Sequence, residues 1–132
     1  MSVVAVAYNS SDAGRAALRS GIAEAKRDGR GLVVLHVVED LSVDARDHAE
    51  RETRAAVDAA GGDSDQVQVV VGAQGMDPAG ALIDQAVQAG AELLVIGGRH
   101  RSAVGKLLMG STVQRILLDA PMPLLFVKPD NR

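Results

Sequence analysis

Cysteine and tryptophan are absent from this sequence of 132 residues, and the only aromatics of the Phe/Tyr/Trp class are Tyr8 and Phe126. Without cysteine there is no disulfide scaffold, no cysteine-ligated zinc finger and no thiol nucleophile, and the composition suits a reducing compartment. With two aromatics, a stacking platform for single-stranded nucleic acid has too little to stack on. Charge of one sign is also scarce. The 14 Lys+Arg stand against 17 Asp+Glu, a net charge of −3, which disfavours a general polyanion binder and leaves room only for a local basic patch. No apolar stretch approaches the roughly 20 residues of a membrane span. Met1-Ser2, ahead of the first apolar run, carries no basic residue, so no secretory leader is read there. The expectation is a soluble cytoplasmic protein without nucleic-acid or membrane partners.

What is present is aliphatic. Hydrophobic residues make up 47% of the chain, and with so few aromatics the core must come from Val, Leu, Ile and Ala. The length suits one domain over 1–132, since single domains most often hold about 100–150 residues. Apolar runs recur at 3–8, 32–38, 67–71, 93–96 and 124–127. Most are continuous rather than alternating, as in strands buried on both faces. Ser11-Asp12 starts a helix whose inner face is Ala13, Ala17, Leu18, Ile22 and Ala25 and which ends near Gly29. Asp77-Pro78 starts another, with Leu82, Ile83, Ala86 and Val87 as its stripe and Gly90 as its stop. A third runs from about Ser111, with Val113, Ile116 and Leu117 inward, until Pro121 and Pro123 end it. The least apolar segment, 40–60, reads as a surface helix, and Gly61-Gly62-Asp63-Ser64 as a connector. Alternation of strands and helices implies one doubly wound parallel sheet with helices on both faces. Ligands in such folds sit beyond the carboxyl ends of the strands. The loops to inspect begin at Tyr8, Val38, Gly72 (where the third strand is expected to end) and Gly97.

Familiar catalytic motifs fail there. Gly105-Lys106 has His100 where a P-loop needs its first glycine and Leu107 where it needs Ser or Thr. Only Asp12 follows the first strand closely, and the third ends at glycine, so a receiver-type phosphoacceptor is missing. His36, His48 and His100 lack metal-ligand spacing. His36 reads as a hydrogen-bonded structural histidine within a strand, and His48 as solvated on a charged helix. No Gly-x-Ser-x-Gly elbow occurs. The expectation is that the protein is not an enzyme and carries no metal.

One segment remains. Val95-Ile96-Gly97-Gly98 opens a buried strand into a loop bearing Arg99, Arg101 and Lys106, which feeds a helix at Gly110-Ser111-Thr112. Orphan N–H groups and the dipole at that helix start favour an anion. Ser111 can add a hydroxyl, and the basic residues raise the local anion concentration. The alternative is an ordinary helix cap and a solvated loop.

At this point the chain resembles the universal stress protein A-type family. The likeness runs from Val3-Val4-Ala5-Val6-Ala7-Tyr8-Asn9-Ser10-Ser11 through Leu35-His36-Val37-Val38 to Ala120-Pro121-Met122-Pro123-Leu124-Leu125-Phe126-Val127. It is most specific over 98–111 and the following Val113-Gln114-Arg115-Ile116-Leu117. The resemblance implies a five-stranded sheet of order 3-2-1-4-5, of the adenine nucleotide alpha-hydrolase-like kind, and a homodimer. In one subgroup it also implies an adenine nucleotide, ATP or AMP, held at the loops after strands one and four. Carried onto this chain, the implied contacts are Ala7, Asn9, Val37, Gly97, Arg99, His100, Gly110, Ser111 and Thr112.

Two positions depart from the subgroup's pattern of Gly-x-x-Gly, nine residues, then Gly-Ser/Thr. His100 stands at the second glycine, whose role is to let the chain pass close to ribose and phosphate. Asn9 stands where an Asp is usual, keeping hydrogen-bonding capacity and losing charge that could help hold a metal. Two readings therefore stay open: a stress-response module that binds a nucleotide as sensor rather than catalyst, or a dimeric interaction protein that has lost the ligand. A slow hydrolase lacks the acidic pair it would need. His100 is expected to crowd the nucleotide, so that His100→Gly tightens ATP binding; a protonated His100 contacting phosphate would do the reverse. The homodimer is expected to pair through the last strand, about 123–128, as a short apolar sheet edge, with Pro121 and Pro123 limiting the free donors.

Overall fold

A computed structural model describes residues 2–98 and 110–128. The elements run β1 (Val3–Ala7), α1 (Asp12–Asp28), β2 (Gly31–Val38), α2 (Val43–Ala59), a 3-10 turn (Ser64–Gln66), β3 (Gln68–Ala73), α3 (Pro78–Gln88), β4 (Ala91–Gly97), α4 (Ser111–Asp119) and β5 (Leu124–Val127). The five strands form one parallel sheet in the order β3-β2-β1-β4-β5.

Burial on both faces explains the continuous apolar runs. Val4, Val6 and Tyr8 of the β1 segment point to one side, with Val34 and Val95, and pack on Ala17, Leu18, Ile22 and Ala25 of α1 and Val57 of α2. Ala5 points to the other side with Val33, Leu35, Leu94 and Ile96, against Ala79, Leu82 and Ala86 of α3 and Ile116 of α4. A central parallel strand thus needs an apolar residue at every position rather than at every second one.

Two details differ from the sequence expectation. β3 extends through Gly72 and Ala73, because their backbones pair with Val37 and Val38. Glycine reads as a strand stop, yet here it makes room: a Cβ on Gly72 would collide with the Gln85 side chain of α3. On α3 the buried residues are Ala79, Leu82 and Ala86, while Val87 is about half exposed, one position around the helix from the packed stripe. The 40–60 segment does fold as α2, burying only Ala49, Thr53 and Val57.

The order places β1 in the middle. The chain leaves β1 toward β2 on one side and returns to β4 on the other. The crevice at such a reversal, beyond the carboxyl ends of the strands, is where doubly wound sheets leave room for a ligand.

Candidate functional site

A cleft of about 740 Å³ occupies that position, within the 300–1,000 Å³ usual for small-molecule sites. It is lined by Ala7, Tyr8 and Asn9 after β1, Val37 of β2, Gln74 after β3, Ile96 and Gly97 of β4, and the first turns of α1, α3 and α4. Three helix N-termini meet there. They are not alike.

The N-terminus of α1 closes itself. Ser11 is its N-cap and accepts the Gly14 N–H at 3.1 Å. The Ser11 hydroxyl donates in turn to Asn9 Oδ1, and the Ser11 N–H donates to the Asn9 carbonyl at 2.9 Å. Asn9 Oδ1 is therefore engaged, and the amide Nδ2 is what Asn9 offers the cleft. Gly14 and Gly97 allow this tight entry. A Cβ on Gly14 would overlap the Asn9 carbonyl, and one on Gly97 would overlap the Ala13 carbonyl. Gly97, read from the resemblance as a ligand position, thus also seals α1 against β4.

The N-terminus of α3 closes itself too. Asp77 Oδ1 accepts the Gly80 N–H at 3.1 Å. Both Asp77 oxygens also receive the Arg115 guanidinium of α4, each at 3.0 Å, and Arg115 Nε donates to Asp119 at 2.6 Å. The Gly80 N–H, and after it Arg115, hold the Asp77 carboxyl below its ordinary value. This arrangement ties α4 to the mouth of α3.

The N-terminus of α4 is the exception. Its N-cap is Gly110, extended at φ −72° and ψ 163°, with no side chain to accept a hydrogen bond. The Gln114 N–H closes the first helical bond onto the Gly110 carbonyl at 3.0 Å. The preceding N–H groups have no partner within the helix, and they sit beside the exposed Ser111 and Thr112 hydroxyls at the cleft.

Of the nine residues implied by the resemblance, Ala7, Asn9, Val37, Gly97, Gly110, Ser111 and Thr112 come together on this cleft. Arg99 and His100 lie outside the described residues, as do Arg101 and Lys106. Sequence reading gave no site role to Ser11, Gly14, Gln74, Pro78 or Leu82. Gln74 had a usable signal, since it directly follows a parallel strand on the side where ligands bind.

Charge in the described lining is sparse. Asp12 is the one charged side chain, and it pairs with Arg15 at 2.7 Å. Tyr8 has a phenol pushed above its ordinary value by burial and, secondarily, by Glu52, against a smaller opposing pull from Arg15. Its ring meets His36 edge-on, with centroids 5.6 Å apart. His36 Nδ1 lies 3.2 Å from Thr53 Oγ1, whose proton goes to the Ala49 carbonyl at 2.7 Å. The Thr53 oxygen is thus left as acceptor, and the network assigns the imidazole proton to Nδ1. Burial lowers the His36 pKa, partly offset by Glu52, so the ring is a neutral structural group. His48 is exposed on α2, 3.5 Å from Glu52. Among the described residues no cluster of His, Cys, Asp or Glu could hold a metal, and no helix is long and apolar enough to cross a membrane.

The comparisons with known proteins agree with this geometry. A universal stress protein from Mycolicibacterium smegmatis is 43% identical over 128 residues, 96% of this chain and 98% of its own length. A solved universal stress protein from Archaeoglobus fulgidus superposes with a TM-score of 0.75 at 25% identity, covering 97% of this chain and 98% of that one. The universal stress protein from Archaeoglobus fulgidus solved in complex with dAMP gives a TM-score of 0.69 at 20% identity, with coverage of 97% and 98%. The sequence model of the universal stress protein family spans residues 1–128, all five strands and every described wall of the cleft, and the chain belongs to that family.

Proposed function

We propose that this protein is a cytoplasmic stress-response module that holds an adenine nucleotide as a ligand to be sensed. The observation that carries the reading is the N-terminus of α4, which opens on the cleft with glycine as its only cap. Two neighbouring helix ends each cap one N–H with a side chain, Ser11 and Asp77, whereas among the described residues the α4 end offers its donors to an anion with no side-chain cap. The α4 dipole and backbone N–H groups suit a phosphate, with Ser111 and Thr112 adding hydroxyls. Asn9 Nδ2 is a donor for the sugar, and Ala7 and Val37 flank the base. Arg99 and His100 belong to this proposal as residues of the loop between Gly98 and Gly110. The dAMP complex of the Archaeoglobus fulgidus relative supplies the ligand class.

Sensing suits the site better than catalysis. The titratable side chains in the described lining are Tyr8 and Asp12, a buried phenol and a carboxylate paired with Arg15. Burial pushes the Tyr8 phenol further from a base poised near neutrality. Native mass spectrometry of the purified protein, followed by calorimetry with AMP, ADP and ATP, tests the reading. The expected result is one nucleotide per chain, with binding weakened in Ser111→Ala. A protein that carries no nucleotide and gives no heat with any of the three overturns it.

A second reading drops the ligand and keeps a paired interaction protein. It rests on β5, a sheet edge of four half-buried apolar residues, Leu124 to Val127. An uncovered edge of this kind invites pairing with a second copy. Pairing through β5 is part of both readings, and a monomeric mass by light scattering at micromolar concentration removes it. The nucleotide titration separates the two.

A further inference from the structure

The β3 side of the cleft carries an unused side chain. Gln74 follows β3 directly, and its N–H donates to the Val38 carbonyl at 2.9 Å, carrying the β2–β3 pairing one residue past the strand. Its backbone is therefore held by the sheet. The residue is half-buried and lines the cleft with Val37. Its side-chain amide makes no hydrogen bond with any other described residue, and it is not among the amides sealed from solvent. It presents one acceptor and one donor group side by side.

The sheet order turns this into a measure of length. From Gly97 on β4 across β1 and β2 to Gln74 after β3 there are three strand spacings, about 14 Å at about 4.8 Å each. A mononucleotide laid across the strand ends with its phosphate on α4 brings its base to Val37 and Gln74. Pro78 and Leu82 of α3 give that end apolar cover.

Resting on the nucleotide reading of the cleft, we infer that Gln74 reads the edge of the base and makes the site prefer adenine to guanine nucleotides. Adenine presents its N6 amino donor beside the N7 acceptor, so the amide oxygen and nitrogen are both used. Guanine presents O6 and N7, two acceptors. The amide then makes one bond and sets its oxygen against an acceptor, which no rotation of the side chain relieves.

The test is calorimetric titration of the full chain with AMP and with GMP, in wild type, Gln74→Ala and Gln74→Glu. Wild type is expected to prefer AMP by about tenfold. In Gln74→Ala the ratio falls toward one, through weaker AMP binding. In Gln74→Glu the carboxylate still accepts from the adenine N6 amino group but meets only the acceptors O6 and N7 of guanine, so the preference for AMP persists. A purely structural role for Gln74 would lower both affinities together. Equal binding of AMP and GMP by wild type, an unchanged ratio in Gln74→Ala, or a preference for GMP in Gln74→Glu overturns the inference while leaving nucleotide binding intact. A wild-type protein that binds neither overturns the nucleotide reading and this inference with it.

Discussion

The helix ends that meet at the cleft are of two kinds. Those of α1 and α3 are closed from within, by Ser11 onto Gly14 and by Asp77 onto Gly80. That of α4 begins at a glycine and has no side-chain cap. Replacing a polar N-cap typically costs about 1 kcal/mol, so a cap is worth having where nothing else competes for the N–H groups. A bare end beside two capped ones, all opening on one cavity, shows where stability and binding want different residues. The tether from Arg115 to Asp77 belongs to the same contrast, because it holds the bare end against a closed one.

The largest expected effect comes from forcing a closed mouth apart. In Gly97→Ala the new methyl overlaps the Ala13 carbonyl, a backbone group that cannot swing aside. The expected cost is about 1–3 kcal/mol, as for overpacking elsewhere, read as a lower midpoint in urea. An unchanged midpoint would mean that α1 is not seated on β4 as described. Closing the bare end is the converse experiment. Gly110→Asp supplies the missing cap and a negative charge at the helix start, and is expected to raise stability by a few tenths of a kcal/mol. The same carboxylate occupies the N–H groups and repels phosphate, so nucleotide affinity drops by about tenfold. Stability and affinity moving in the same direction would break the comparison. The smallest effect distinguishes the two closed ends. Asp77 titrates and Ser11 does not. Because the folded-state pKa of Asp77 lies below its ordinary 3.8, its contribution is present above that pH and is lost as pH falls through the folded value. Amide exchange at Gly80 should therefore accelerate in acid relative to Gly14, and Asp77→Asn should remove that difference. Equal acid sensitivity at both amides would count against the assigned caps.

Much of the fold was legible because burial on two faces writes itself as unbroken apolar runs, and those runs located all five strands. The end of β3 was misread because glycine carries no side-chain information about pairing. What keeps Gly72 in the sheet is the backbone of Val37. Val87 was misplaced because a hydrophobic residue one step off the stripe looks like part of it until the helix meets a neighbour. At the site, the anion-favouring start of α4 could be read from Gly110-Ser111 alone. The contrast that gives it meaning could not, since it needs α1, α3 and α4 side by side. Nor could the second duty of Gly97, which depends on a carbonyl 84 positions earlier in the chain, at Ala13.

The shallow seating of α2 has a dynamic consequence. It has 17 residues, as α1 does, yet buries three of them where α1 buries seven. None of its residues lines the cleft. A helix with so little buried surface opens at lower cost than α1, and local opening of this kind proceeds without global unfolding. Nucleotide binding would then slow hydrogen exchange in the first turns of α1, α3 and α4 while leaving α2 breathing at its own rate. The chain would keep one segment available for fraying, proteolytic nicking and sequence drift that ligand occupancy does not protect.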